Sequence, residues 1–199
     1  VNQHVNGLKA LSEEPLIVSI DQEGGRVARL KPKYGFPKSV AAEYLGSLDN
    51  ADSTRYYARK TAKTLSNLGI NVNLAPVVDV NVNPDNPVIG GLERSFSDNP
   101  LTVAKHAGIF IKTLHNYDIQ TVLKHFPGHG SSEKDSHLGV VDVTDTWSEK
   151  ELIPYRQLID SSLVDAVMTA HIFNHQIDST YPATLSKPTI DGILRDSLG

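Results

Sequence analysis

The sequence predicts an α/β fold in which parallel strands alternate with helices. Three observations lead there. Four apolar segments rich in valine and isoleucine are spaced along the chain, helical patterns separate them, and each apolar segment runs into charged or imidazole side chains. Continuous apolar runs suit strands buried on both faces of a parallel sheet. Regular alternation of strand and helix is the pattern of β/α units.

The first strand is expected over 15–20 (PLIVSI). A helix over 51–68 follows, rich in Ala, Arg, Lys and Leu, with Gly69 as its C′ residue. The second strand falls at 70–80 (INVNLAPVVDV). The next helix, 100–116, has Asp98 as candidate N-cap and Pro100 in its first turn. A strand at 120–126 (QTVLKHF) leads to a helix at 149–162, where Ser148 and Glu151 make the capping-box pattern S-x-x-E. The fourth strand is expected at 163–172 (LVDAVMTAHI), and a last helix at roughly 187–198 stops at Gly199. Two long loops, 81–97 and 127–147, stand out, and loops of that length in a compact domain are more often functional than idle. The sequence carries no internal repeat, low-complexity tract or clear linker.

The 199 residues suffice for one domain with a substantial core. The apolar share of 39%, the charged share of 21% and the net charge of −4 are ordinary for a globular protein. Lysines and arginines are dispersed, so no nucleic-acid partner is expected. No apolar run approaches the roughly 18 residues of a membrane span, so no membrane partner is expected either. The N-terminus VNQHVNGLKA lacks the regions of a signal peptide, but a processed chain would lack them too. The cytoplasm is therefore favoured, with the periplasm and secretion left open. Cysteine is absent, which excludes disulfides and thiolate chemistry without fixing a compartment.

Chemistry collects where the apolar segments end. The first meets Asp21-Gln22-Glu23-Gly24-Gly25-Arg26, the second Asp79, the third Lys124-His125 and the fourth His171. Strand ends are often polar merely because they are exposed. Four in succession favour the catalytic face of a parallel sheet.

The segment KHFPGHGSSEKDSH (124–137) is the densest stretch. His125, His129 and His137 invite a zinc reading, but Pro127 and Gly128 prevent the helix that gives H-x-x-x-H its meaning. No metal is expected. Asp135 and His137 suit proton transfer instead: a carboxylate two residues away fixes the imidazole tautomer and raises its pKa. Lys124 and His125 need acceptors if buried. Ligand hydroxyls or carboxylates would serve, and so would Asp21 or Asp79 as structural ion partners. Arg29 and Arg94 offer planar donor forks for a ligand or rest on the surface. Gly24-Gly25 fits a tight turn and is no phosphate fingerprint.

Taken together and in order, IDQEGGRVARL, NLAPVVDV, ERSFSDNP, KHFPGHGSSEKDSH and MTAHI closely resemble the N-terminal catalytic domain of glycoside hydrolase family 3. Within it they look most like the bacterial exo-β-N-acetylglucosaminidases, and the resemblance covers about residues 7–199. It implies a (β/α)8 TIM-barrel type fold and retaining hydrolysis of β-linked sugars through a glycosyl-enzyme intermediate. The implied partner is a carbohydrate, peptidoglycan-derived N-acetylglucosamine by family, and no cofactor is implied. Asp21, Arg29, Arg94, Lys124 and His125 match its sugar-binding positions. His137 matches the general acid/base and Asp135 its partner, which departs from the usual pair of carboxylates.

The resemblance places the nucleophile on an aspartate in a pattern like S-D-D or T-D-D, after a strand that follows the last helix here. No such pattern occurs in the chain. The strand that the family pattern expects before 15–20 is likewise absent. The expectation is a partial barrel of about four β/α units over 1–199, where a closed barrel needs eight. Open sheet edges would then favour self-association or pairing with the remainder of the barrel, and the chain alone would be inactive. The competing readings are a non-catalytic sugar-binding or scaffold piece, a zinc hydrolase, and a β-glucosidase of the same family, against which D-S-H argues.

Overall fold

Strands form where the valine- and isoleucine-rich segments lie, and helices between them. The computed structural model describes residues 1–135 and 139–199. Helix α1 (Asn2–Ala10) precedes β1 (Ser19–Ile20), and a hairpin of β2 (Gln22–Gly24) and β3 (Val27–Ala28) follows. The chain passes through α2 (Ala42–Leu48) and α3 (Ala51–Asn67) to β4 (Val72–Asn73), then through α4 (Pro100–His115) to β5 (Gln120–Phe126). The short β6 (Val141–Asp142) and α5 (Ile153–Asp160) lead to β7 (Ala166–Thr169). Strand β8 (Ile172–Phe173) and a π-helix at Pro188–Ser197 follow.

The main sheet has the order β1-β4-β5-β7, with every pairing parallel. Its spatial order follows the chain without reversal. A doubly wound sheet reverses at a switch point, whereas a barrel adds each β/α unit on the same side. The sheet is therefore the partial (β/α) barrel that the sequence predicts. Outside it, β6 pairs with β8 in parallel and β2 with β3 in antiparallel.

Helix α4 joins the core. Its Phe110 and Leu114 pack with Ala58, Ala62 and Leu65 of α3. Its Val103, Ala107 and Ile111 pack with Leu123 and Phe126 of β5 and with Tyr155 and Leu158 of α5. Each fully buried leucine here, such as Leu65 or Leu114, contributes roughly 1.5–3 kcal/mol. The predicted ends of α3 hold: Asn50 Oδ1 accepts the Ser53 N–H at 2.9 Å, and Gly69 takes φ +75°.

Several expected elements differ in detail. The first strand is confined to Ser19–Ile20, with Ile17 exposed ahead of it. The second stops at Asn73, because Pro76 has no N–H for the ladder; pairing resumes as a single bridge, Val77 with Lys124. The fourth divides into β7 and β8. Asn99, not Asp98, caps α4, accepting the Leu101 N–H at 2.9 Å. A residue directly before proline is pushed out of the helical region and so becomes the cap itself. The capping box at Ser148 does not form: its side chain makes no cap bond, and the segment opens as a 3₁₀ turn, Glu149–Leu152. Glu151 is instead drawn inward by a tertiary contact.

Candidate active site

The hairpin β2–β3 folds Asp21 and Glu23 over the C-terminal end of the sheet, where Lys124 emerges from β5. Lys124 is only 2% exposed. Its Nζ lies 2.9 Å from Asp21 Oδ1 and 2.7 Å from Glu23 Oε1. Arg94 reaches in from the loop between β4 and α4 and grips Glu23 with both arms. Its Nε–H donates to Oε2 and its Nη2–H to Oε1, each at 2.8 Å. Its Nη1–H donates to the Val88 carbonyl at 3.0 Å. Such bidentate, charge-assisted pairs fix orientation as well as charge.

His125 stands beside this cluster. Arg94 Nη2 is 3.2 Å from its Nε2, and Asp79 Oδ2 is 2.6 Å from its Nδ1. Arginine only donates, so Nε2 is the acceptor and Nδ1–H donates to Asp79. Asp79 is wholly buried and also accepts the backbone N–H of His125 at 3.1 Å and of His129 at 2.8 Å. Burial alone would raise the Asp79 carboxyl, but the His125 contacts and the His129 amide hold it below the usual aspartate value. Burial likewise opposes ionisation of Glu23, and Arg94 and Lys124 outweigh it. Asp21 is lowered in the same way, its desolvation overcome by Lys124 and Arg29. Three carboxylates therefore stay ionised within a largely buried cationic frame.

Arg29 lies at the open rim, with Nη2 3.5 Å from Asp21 Oδ2 and its side chain 62% exposed. The site thus has a rigid floor (Glu23, Lys124, Arg94, His125, Asp79) and a half-open edge (Asp21, Arg29). Such an edge offers a free carboxylate lone pair and guanidinium donors to a hydroxylated ligand.

The structure brings together Asp21, Arg29, Arg94, Lys124 and His125. The ion partners that the sequence offered as the structural alternative for Lys124 and His125 are present as well. His171 is not brought in: it is exposed, and its Nδ1 is 2.7 Å from the Thr184 hydroxyl. Asp135 is half-buried, and His137 lies outside the described residues. Among the described residues no group of three His, Cys, Asp or Glu side chains is arranged to hold a metal.

Two contributors escaped the sequence reading. Glu23 follows Asp21 by two residues, the spacing that puts extended-chain side chains on one face, so its signal was available. Glu151 carried only a misleading capping pattern. It is fully buried and accepts the Gly130 N–H at 2.9 Å on Oε2.

Against known proteins, the family model described as "Glycosyl hydrolase family 3 N terminal domain" matches residues 1–199. Beta-hexosaminidase LpqI of Mycobacterium tuberculosis is 40% identical over 187 residues, covering 93% of this chain and 47% of that protein. Beta-hexosaminidase A of Pseudoalteromonas piscicida is 39% identical over 210 residues, covering 94% of this chain and 34% of that one. The chain thus spans less than half the length of these relatives. Among solved structures, a glycoside hydrolase family 3 beta-N-acetylglucosaminidase from Paenibacillus sp. superposes with TM-score 0.92 at 36% identity, over 100% of this chain and 38% of its own. NagZ from Neisseria gonorrhoeae in complex with N-trifluoroacetyl-D-glucosamine gives TM-score 0.90 at 34% identity, over 100% of this chain and 59% of its own. With its motifs, its strand order and a family match along its whole length, this chain belongs to glycosyl hydrolase family 3, as its N-terminal domain.

Proposed function

We propose that this chain supplies the sugar-binding floor and the proton-transfer segment of a retaining β-N-acetylhexosaminidase acting on terminal β-linked N-acetylglucosamine. The observation that carries the reading is the buried ionic frame Asp21–Lys124–Glu23–Arg94–His125–Asp79 at the C-terminal end of a parallel sheet. A preorganised set of donors and acceptors in a shielded place binds vicinal hydroxyls without reorganising. Asp21 accepts from a sugar hydroxyl, and Lys124 and Arg29 donate to its neighbours. Glu23 and Asp79 hold Lys124, Arg94 and His125 in place. The names borne by the relatives above support the substrate class.

Proton transfer to the leaving oxygen falls to His137 with Asp135 as its partner, carried by the segment that leaves the Pro127–Ser132 turn. Retention also needs a carboxylate nucleophile. Glu23 and Asp79 are committed to their ion pairs and hydrogen bonds, and Asp21 is shared between Lys124 and Arg29. We assign the nucleophile to a residue of the parent protein outside these 199, and read the chain as a partial catalytic domain.

The test is hydrolysis of a chromogenic β-N-acetylglucosaminide by this chain and by a form extended along the parent gene. Activity is expected only in the extended form, and His137→Ala should lower it there by about 10²–10⁴-fold. Full activity of the 199-residue chain would overturn the nucleophile assignment. Inactivity of both forms would leave the sugar-binding reading, testable by calorimetry with N-acetylglucosamine.

A further inference from the structure

The turn that follows β5 is held from two directions. On the side of the site, Asp79 accepts the His129 N–H at 2.8 Å. On the far side, Glu151 accepts the Gly130 N–H at 2.9 Å. Trp147 Nε1–H donates to the Pro127 carbonyl at 3.1 Å, and Asn86 Nδ2–H to the His129 carbonyl at 2.7 Å. The approach is so close that glycine is required twice: a side chain at Gly128 would strike that of Glu151, and one at Gly130 the carbonyl of Val80. Gly128 also takes φ +127°.

Glu151 is an unusual residue for such a place. It is 0% exposed, and among the described residues no cation pairs with it. Its Oε1 and the neighbouring Tyr155 hydroxyl have no partner among those residues either. A buried carboxyl without a counter-charge costs stability compared with an apolar side chain. Packing of α5 does not need it, because Leu152, Tyr155 and Leu158 already supply the apolar face. Its polar contacts among the described residues are to the turn, at Gly130 and Ser131.

We propose that Glu151 is a positioning residue for the candidate site: through the Gly130 amide it holds the Pro127–Ser132 turn against Asp79 and so fixes where the segment leading to Asp135 begins. The proposal rests on the reading above that this segment carries the proton donor. The groups facing the carboxyl are Asp79 from the loop after β4, Gly130 and Ser131 from the turn, and Tyr155 from α5, which follows its own 3₁₀ turn. Burial raises the carboxyl to about 7, with Asp79 pushing the same way and Ser131 and Gly130 opposing. Glu151 is thus a neutral acid in mildly acidic solution and gains a charge beside Asp79 as pH passes neutrality. Because the folded value exceeds the ordinary 4.5, stability falls as pH rises from there to about 7 and is level beyond.

The experiment compares wild type, Glu151→Gln and Glu151→Ala in this chain and in the extended form. Amide exchange is followed at Gly130–Ser132 and melting from pH 4.5 to 8. Loss of the acceptor in Glu151→Ala should cut Gly130 protection by about 10-fold, and Glu151→Gln should keep it. Glu151→Gln should also abolish the fall in melting temperature between pH 4.5 and 7. In the extended form, Glu151→Ala should lower kcat by about 10²-fold with KM within about 2-fold, since a displaced catalytic group costs turnover rather than sugar binding. Glu151→Gln should restore most of kcat. Unchanged Gly130 protection in both variants, or a loss confined to KM, would overturn the proposal. If Glu151→Ala does not fold, Glu151→Met, which also lacks the acceptor but fills the space, carries the same exchange test, and unchanged Gly130 protection there overturns the proposal. An extended form without any glycosidase activity would sink the functional reading, while the exchange data still decide whether Glu151 holds the turn.

Discussion

At the N-terminal end of the sheet, Asp165 Oδ2 accepts the Thr121 backbone N–H at 2.8 Å and the Thr121 hydroxyl at 3.0 Å, and lies 2.7 Å from His115 Nε2. Beside it, Asn71 accepts the Val18 N–H at 2.7 Å and donates to the Leu16 carbonyl at 2.8 Å. At the C-terminal end, carboxylates meet cations brought from distant elements, and Asp79 takes backbone donors as well. The same residue types thus do different work. At one end they cap strand backbones that the ladder leaves unpaired. At the other they hold charge in a fixed array that a ligand can meet. Stitching of the first kind is local and loses little when one stitch goes. An array of the second kind needs every member, because removing one leaves its neighbours buried and uncompensated.

Three substitutions break or sharpen that contrast. The largest effect is expected at the C-terminal end. Glu23→Ala leaves Lys124 and Arg94, with side chains 2% and 9% exposed, without their shared partner. It should cost about 3–5 kcal/mol in urea denaturation and abolish binding of N-acetylglucosamine. A cost below about 1 kcal/mol would mean that the array tolerates gaps like ordinary surface charge. At the opposite end, Asp165→Ala should cost about 1–2 kcal/mol at pH 7 and leave sugar binding intact. The folded Asp165 is held below its ordinary value of 3.8: burial opposes ionisation, and His115 and Thr121 outweigh it. Its contribution is therefore present above that pH and is lost as pH falls through the lower folded value. The difference in melting temperature between mutant and wild type should accordingly shrink below about pH 4. The smallest effect belongs to the exposed pair Arg26–Glu93, 3.4 Å apart with side chains 60% and 43% exposed. Arg26→Gln should change stability by less than about 0.5 kcal/mol, and not at all in high salt.

The same contrast explains what could be read in advance. Asp21, Asp79, Lys124 and His125 stand directly after apolar runs, so chain order alone puts them on one face. Arg94 is reached through the loop that its motif marked. Glu23 was visible as the second acid of D-Q-E-G-G but was absorbed into a turn. Glu151 was hidden, because S-x-x-E reads locally as a cap and only the packing of a distant glycine turn draws the side chain inward. Helix α1 escaped because it buries a single residue, Val5, and shows no apolar stripe. Helix α2 is just seven residues long, with Gly46 pressed on the Phe96 carbonyl. The assignment of His137 rests on its motif, since it lies outside the described residues.

The order of the sheet has a consequence for how the protein is made. Ser19 pairs with Val72, Val72 with Gln120, and Val122 with Ala166, so each pairing closes a loop of roughly fifty residues. Since doubling a loop costs only about 0.6 kcal/mol more in closure entropy, no single closure dominates. A chain emerging from the ribosome can add its strands one unit at a time. Arg94 then leaves the tunnel before Lys124, so the order of synthesis lets the Glu23–Arg94 pair form before the ammonium arrives. The acids Asp21, Glu23 and Asp79 are made first, and the guanidinium and then the ammonium neutralise the interior as they follow.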